Sequence, residues 1–166
     1  MKKLLVKIVL SLLLSINAYA ENLKFTKIID LDKPWGSSFI RDNEMIVTEK
    51  SGKIKIINIK NGNVTKVQHN LNFLETGQGG LLDIVYKDNY LWISYAENRG
   101  NSQTSTSIAR GKFNKEKIDF KNIFQANPPI DSGYHFGSRL AIKDNYIFAS
   151  IGERGQGMIA QDPTQH

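Results

Sequence analysis

The sequence predicts an all-β protein built from repeated propeller blades, and an internal repeat is the first observation behind this. Residues 77–94 (GQGGLLDIVYKDNYLWIS) and 133–150 (GYHFGSRLAIKDNYIFAS) share glycines around a polar residue, an apolar run, Lys-Asp-Asn-Tyr and a second apolar run ending in serine. Residues 37–49 form a weaker copy, and the turn asparagines of the three copies are 46 and 56 residues apart. This spacing is typical of a four-stranded blade. Ordinary hairpin turns would explain the Asp-Asn pairs, but not their matching flanks.

The second observation is the density of short strands. Eleven segments are rich in Ile, Val, Tyr and Phe and are separated by turn pairs such as Ser-Gly, Asn-Gly and Asp-Asn. In order they are residues 27–31, 37–40, 44–50, 53–59, 64–68, 81–86, 90–96, 107–113, 117–124, 139–142 and 146–151. No window has a convincing helical period. Because four strands fall between successive Asp-Asn turns, the pattern favours a propeller over a sandwich or barrel.

This grouping gives two nearly complete blades and the beginning of a third. The first strand of each propeller blade lines the central channel, and the loop leading into that strand opens on one face. Gln78 and His135 lie in such loops. We therefore expect both side chains to lie at the mouth of the channel.

The first 20 residues have the features of a cleaved export signal. Three lysines precede an apolar run that is short for a membrane span, and Ala18-Tyr19-Ala20 matches the usual cleavage site. An uncleaved membrane anchor is the alternative. We expect a signal peptide at 1–20, one domain at 21–166, a periplasmic location and no membrane span after signal removal.

Charge and cysteine content exclude several classes of function. Removal of Lys2, Lys3 and Lys7 with the signal lowers the net charge from +6 to +3. The remaining lysines are scattered without interleaved aromatics, so nucleic acid binding is not expected. The chain has no cysteine, which excludes disulfides and thiolate metal sites.

Two glycine-framed side chains could carry chemistry. Gln78, among three glycines, could exchange hydrogen bonds with a flat polar ligand, or could be an exposed turn residue. His135 lies between Tyr134 and Phe136 and could act as a general base near neutral pH. A structural histidine bonded to a carbonyl is the alternative reading of that position.

Residues 151–157 (IGERGQG) add two charged groups at the end of the third repeat. Glu153 could orient an imidazole or a ligand hydroxyl, and Arg154 is beside it; a solvated charged turn is the alternative. Residues 98–106 and 160–164 are interpreted as polar loops.

Taken in order, GQGGLLD, HFGSRL, IGERG and AQDPTQH resemble the soluble quinoprotein glucose/sorbosone dehydrogenases, and most closely the periplasmic aldose sugar dehydrogenases. LDKPWGSSFIRDN at 31–43 is similar to the opening blade of that family. The resemblance covers essentially all of residues 21–166.

The resemblance implies a six-bladed propeller with pyrroloquinoline quinone (PQQ) over the channel mouth and calcium beside it. It implies that His135 takes the proton of an aldose C1 hydroxyl while hydride passes to the quinone, giving the lactone, and that an external acceptor reoxidises the cofactor. Gln78 matches a glutamine that contacts the quinone. Glu153 matches an acidic residue near the active-site histidine, and Arg154 is included among the expected cofactor contacts. Arg139 matches an arginine with a structural role.

The chain departs from the family in three respects. Tyr134 replaces a usual Asp or Asn, and Ser138 replaces a usual glycine. Family members are more than twice as long, so we expect residues 21–166 to be the N-terminal part of the propeller and inactive alone. The calcium ligands and the basic residues that hold the quinone carboxylates are then expected outside this chain.

Two other functions remain open from the residues. A non-catalytic propeller could bind a sugar or a protein partner, since one fold serves many functions. A propeller lactonase would need a ring of metal-binding carboxylates facing the channel, whereas the loops here offer Gln78 and His135.

Overall fold

The computed structural model describes residues 23–164, so the predicted signal peptide lies outside the described residues. Residues 23–33 have no regular secondary structure and are mostly exposed, and the strand predicted at 27–31 is wrong. The segment has the composition of a strand, but no neighbouring strand pairs with it to satisfy its backbone N–H and C=O groups.

The first unit is an antiparallel sheet of four strands with a fifth at its outer edge. Its strands are β1 (Pro34–Arg41), β2 (Glu44–Glu49), β3 (Lys53–Asn58) and β4 (Val64–His69), paired in sequence order. The two-residue strand β8 (Lys117–Ile118) adds parallel to β4, with Gln68 opposite Lys117. A segment from the second unit thus closes the edge of the first.

The second unit repeats this arrangement, and a third begins. Strands β5 (Leu81–Lys87), β6 (Tyr90–Asn98), β7 (Thr104–Lys112) and β9 (Lys121–Gln125) form one sheet, and β10 (Gly137–Lys143) pairs with β11 (Tyr146–Ile151). Within residues 23–164 the helical structure is one 3₁₀ helix, Gly157–Gln161. This is the predicted architecture of two blades and the start of a third.

Two predicted boundaries are wrong for the same physical reason. The strand predicted at 117–124 is split, because β8 pairs with the first unit and β9 with the second. The polar loop predicted at 98–106 shrinks to five residues, since Thr104–Ser107 of β7 pair with Tyr95–Asn98 of β6. Both boundaries are set by pairing with strands that are distant in sequence, and local composition does not predict such pairing.

The Asp88-Asn89 turn has the backbone conformation that its sequence predicts. Asp88 and Asn89 both have positive φ, 51° and 64°, as a two-residue type I′ hairpin requires. The core between the first two units is formed by fully buried aliphatic side chains, among them Ile46, Ile84 and Ile93. A smaller cluster of Leu82, Ala96 and Phe136 joins the third unit to the second.

A hydroxyl group at one repeated position joins each unit to the next. The first strand of every unit has a register shift, at Pro34/Ser37, Leu81/Ile84 and Gly137/Leu140. The freed N–H groups of Gly36, Asp83 and Arg139 donate to the hydroxyls of Thr48, Ser94 and Ser150, each at 3.0 Å. The Thr48 hydroxyl then donates to Leu82 O and that of Ser94 to Ser138 O, both in the following unit. The hydroxyls of Thr48 and Ser94 are therefore inter-blade contacts.

Replacing Ser94 with alanine is expected to lower the free energy of unfolding by about 1–3 kcal/mol, because a buried N–H and a buried carbonyl lose their partner. Urea denaturation measures the change. Ser51→Ala is the matched control, because the buried Ser51 hydroxyl has no hydrogen-bond partner among the described residues. Equal stability of the two variants would contradict the inter-blade role of Ser94.

Candidate active site

Two loops from neighbouring units meet at one end of the sheets. The Gln78 loop (residues 76–80) leads into β5, and the His135 loop (residues 132–136) leads into β10. Gln78 N donates to Gly133 O at 2.7 Å, and His135 N donates to Gln78 Oε1 at 2.9 Å. A Cβ at Gly77 would lie 2.4 Å from Gly133 O, so the loops approach too closely for a side chain there. The two repeat positions singled out by sequence are thus in direct contact.

His135 forms its side-chain contact with the carboxylate of Glu153. His135 Nδ1 lies 2.5 Å from Glu153 Oε1, and the imidazole remains 55% exposed. The hydrogen bond from His135 holds the pKa of Glu153 below its ordinary value. Glu153 is therefore a carboxylate near neutral pH, as an acceptor for Nδ1–H must be.

This contact decides which ring nitrogen of His135 is available. A neutral imidazole carries one N–H, and a carboxylate on Nδ1 favours the tautomer protonated there. Nε2 of His135 then keeps a lone pair on an exposed part of the ring. The geometry is that of a general base oriented by an acidic side chain.

The backbone of the His135 loop is held in an uncommon conformation. His135 has a φ of 47°, in the left-handed region that β-branched and bulky residues rarely adopt. Its carbonyl accepts a hydrogen bond from Arg154 N, and a Cβ at Gly152 would lie 1.9 Å from that oxygen. Close packing against residues 152–154 therefore fixes the position of His135.

Arg154, predicted as a cofactor contact, is buried beneath the loop. Its guanidinium donates to Tyr134 O at 2.9 Å, to Thr104 O at 2.9 Å, to the Thr104 hydroxyl at 2.7 Å and to Ser132 O. It also stacks on the Phe136 ring, 3.7 Å from the centroid. Burial lowers the pKa of Arg154 to about 10, so the group stays charged at neutral pH. With these donors taken by the protein, Arg154 positions the His135 loop.

The two departures within the His135 motif have different places in the fold. Tyr134 is 62% exposed beside the imidazole. Ser138 is buried with a φ of 88°, a conformation that favours glycine, and its carbonyl accepts the Ser94 hydroxyl. Arg139 pairs with the buried Asp83 at 3.2 Å, in line with the structural role expected for it.

Sequence reasoning missed two residues that border the site. Lys50 Nζ contacts Gly77 O, beside Gln78, and Thr104 supplies two of the acceptors for Arg154. Both come from strand ends far away in sequence. The internal repeat is the one signal that could have indicated Lys50. Lys50 follows the repeated hydroxyl position of its unit by two residues, as Gly152 does in the third unit.

Residues 23–164 contain no group of three or more His, Asp or Glu side chains placed to hold a metal ion. No helix in the same range is long and apolar enough to cross a bilayer.

The fold and the ordered motifs define a β-propeller of the dehydrogenase type, and comparison with known proteins gives its family. The glucose/sorbosone dehydrogenase family model matches residues 31–166. The chain belongs to this family. It is 31% identical over 142 residues to the aldose sugar dehydrogenase YliI of Escherichia coli, covering 80% of this chain and 38% of that protein.

Solved structures agree with this assignment. The apo form of the soluble aldose sugar dehydrogenase of Escherichia coli matches with a TM-score of 0.75 at 30% identity, over 81% of this chain and 42% of that one. The PQQ-bound aldose sugar dehydrogenase of Streptomyces coelicolor shares the fold, with a TM-score of 0.72 at 21% identity over 82% and 42%. The chain thus spans about 40% of the length of the relatives that it matches.

Proposed function

We propose that the protein oxidises aldose sugars at C1 to the lactone with PQQ as cofactor, and that His135 is the base. The observation that carries the proposal is the His135–Glu153 contact of 2.5 Å at the junction of two propeller loops. It leaves an exposed imidazole nitrogen able to accept a proton. Support for the substrate class comes from the names of the relatives, which are aldose sugar and glucose dehydrogenases.

The residues at the loop junction fit a flat polar cofactor. Gln78 uses its amide oxygen on His135 N, which leaves the amide N–H groups as donors toward a ligand. Gly77 and Gly133 have no side chains, so nothing projects from these two positions beside Gln78 and His135 to block a flat ligand. PQQ, when bound, would supply the two-electron acceptor for the hydride that leaves C1.

The protein residues then have separate roles in the proposed reaction. His135 Nε2 takes the proton of the C1 hydroxyl as the C1–H bond breaks, and the C1–O bond becomes the lactone carbonyl. Glu153 holds Nδ1–H and stabilises the imidazolium that forms. Gln78 fixes the backbone of His135 and orients the ligand, while Arg154 holds the loop from below.

Three further parts of the proposal do not depend on the loop junction: calcium and the electron acceptor rest on the resemblance, and export rests on residues 1–20. Calcium is proposed as a second cofactor, with no ligand assigned among residues 23–164. An external electron acceptor is proposed to reoxidise the cofactor. Export to the periplasm is proposed from residues 1–20, and N-terminal sequencing of the mature protein should return Glu21.

The experiment that tests the function is sugar-dependent dye reduction by the full-length protein and not by residues 21–166 alone. We expect activity with glucose or another aldose only after addition of PQQ and calcium, and none with the sugar alone. A panel of aldoses at equal concentration identifies the preferred sugar. Sugar binding without dye reduction at saturating PQQ would instead favour the non-catalytic propeller.

Glu153→Gln should lower kcat by about 10- to 100-fold, because a neutral amide neither enforces the Nδ1–H tautomer nor stabilises the imidazolium. The lowered pKa of Glu153 also predicts a pH effect. The contact with His135 stabilises the folded protein at pH values above the pKa that Glu153 has in the unfolded chain. This stabilisation is lost as the pH falls through the lower pKa that Glu153 has in the folded protein. Sugar oxidation and thermal unfolding across acidic pH measure both effects. Glu116→Gln, in an exposed turn, is the control, and equal kcat for the two variants would remove Glu153 from the mechanism.

A further inference from the structure

Lys50 differs from the other lysines around it in having no carboxylate partner. Lys33 pairs with Glu75 at 3.1 Å, and Lys55 and Lys53 pair with the buried Glu49 at 2.5 and 3.7 Å. Among the described residues, no carboxylate lies within ion-pair distance of Lys50, whose ammonium contacts Gly77 O. One neutral carbonyl leaves donors of the ammonium free.

The backbone of Lys50 is fixed at the boundary between the first two units. Lys50 N donates to Lys33 O at 3.0 Å, and Lys50 O accepts from Leu81 N at 3.3 Å, where β5 begins. Burial alone would raise the pKa of neighbouring Glu49, but the hydrogen bond from Lys55 and further donors hold it below its ordinary value. Glu49 is thus a carboxylate whose charge is already matched by Lys55 and Lys53.

The place of Lys50 in the repeat directs it toward the same end of the propeller as Glu153. The hydroxyls of Thr48, Ser94 and Ser150 accept the equivalent backbone N–H in the three units, so Lys50 in the first unit corresponds to Gly152 in the third. Gly152 immediately precedes Glu153 and packs on His135 O. Lys50 correspondingly packs on the loop of Gln78.

We propose that Lys50 binds a carboxylate of the ligand held at the junction of the Gln78 and His135 loops. The inference rests on the proposed function, because PQQ is a planar tricarboxylate and brings such groups to the site. Nearby, Glu153 is paired with His135 and Glu75 with Lys33. Lys50 is therefore the cation beside Gln78 whose charge an anionic ligand would complement.

The test measures PQQ binding by calorimetry, with calcium present and without sugar. Lys50→Met keeps the apolar stem and should weaken PQQ binding by about tenfold, whereas Lys50→Arg should stay within about threefold of wild type. Lys66→Met, on exposed β4, makes the same charge change elsewhere and should bind like wild type. Added salt should weaken binding less in Lys50→Met than in wild type.

The outcomes distinguish failure of the Lys50 inference from failure of the proposed function on which it rests. Equal affinity and equal salt dependence for wild type and Lys50→Met would overturn the role of Lys50 while leaving the proposed function intact. Weak binding by both Lys50→Met and Lys50→Arg, with unchanged thermal unfolding, would also overturn it, since charge alone should restore binding. Absence of PQQ binding by the wild-type full-length protein, which is the protein used throughout this test, would refute the proposed function itself.

Discussion

Replacing His135 with alanine is expected to lower kcat for sugar oxidation by about 10²–10⁴-fold, the usual contribution of a general base. The variant removes the Nε2 lone pair and leaves Glu153 without its partner, but the backbone bond from residue 135 N to Gln78 Oε1 can still form. PQQ affinity should therefore change little. Dye-reduction kinetics and PQQ calorimetry on the same preparation measure the two quantities.

His69 provides the matched control for this variant. Its Nε2 lies 2.8 Å from Gly52 O and its Nδ1 accepts from Leu71 N at 3.2 Å, so both ring nitrogens have backbone partners away from the loop junction. His69→Ala should reduce stability and leave kcat near wild type. A His135→Ala enzyme with near-normal turnover would show that another group takes the proton.

Replacing Arg154 with methionine should lower the free energy of unfolding by about 2–4 kcal/mol, because the carbonyls of Ser132, Thr104 and Tyr134 each lose a hydrogen bond from a charged donor. It should also lower kcat by about 10²-fold, since a displacement of the His135 loop by about 1 Å misaligns the base. Urea denaturation and sugar oxidation measure the two effects. Arg154→Lys should be intermediate, because one ammonium cannot reach all of these acceptors.

Arg41→Met is the control for the loss of an arginine. Arg41 is mostly exposed and pairs with Glu44 at 3.7 Å, so its removal should change stability by less than about 1 kcal/mol. A role of Arg154 in holding the loop requires the two variants to differ in both stability and kcat. If Arg154→Met instead lost PQQ affinity while the fold and kcat at saturating PQQ were unchanged, Arg154 would be a cofactor contact, as first predicted from the sequence.

Much of the fold could be read from local patterns. The paired repeats with their Asp-Asn turns predicted β5–β6 and β10–β11 within one to two residues at most ends, because a tight Asp-Asn turn and flanking apolar runs are local properties. The repeat also predicted that Gln78 and His135 lie together, since equivalent positions of adjacent blades face one axis. The strand at 27–31 failed because it has the composition of a strand but no partner.

Contacts between residues far apart in sequence decided the rest. The sequence alone determined the class of fold, its repeat and the residue types at the loop junction, because these depend on neighbours along the chain. Only the tertiary structure decided that Glu153 binds Nδ1 of His135, that Arg154 lies under the loop and that Lys50 faces Gly77. Each of these depends on contacts between residues 18 to 50 positions apart, the first within the third unit and the other two between neighbouring units. A charged side chain in a glycine-rich turn has the same local sequence whether it points to solvent or into the protein, and packing selects between the two.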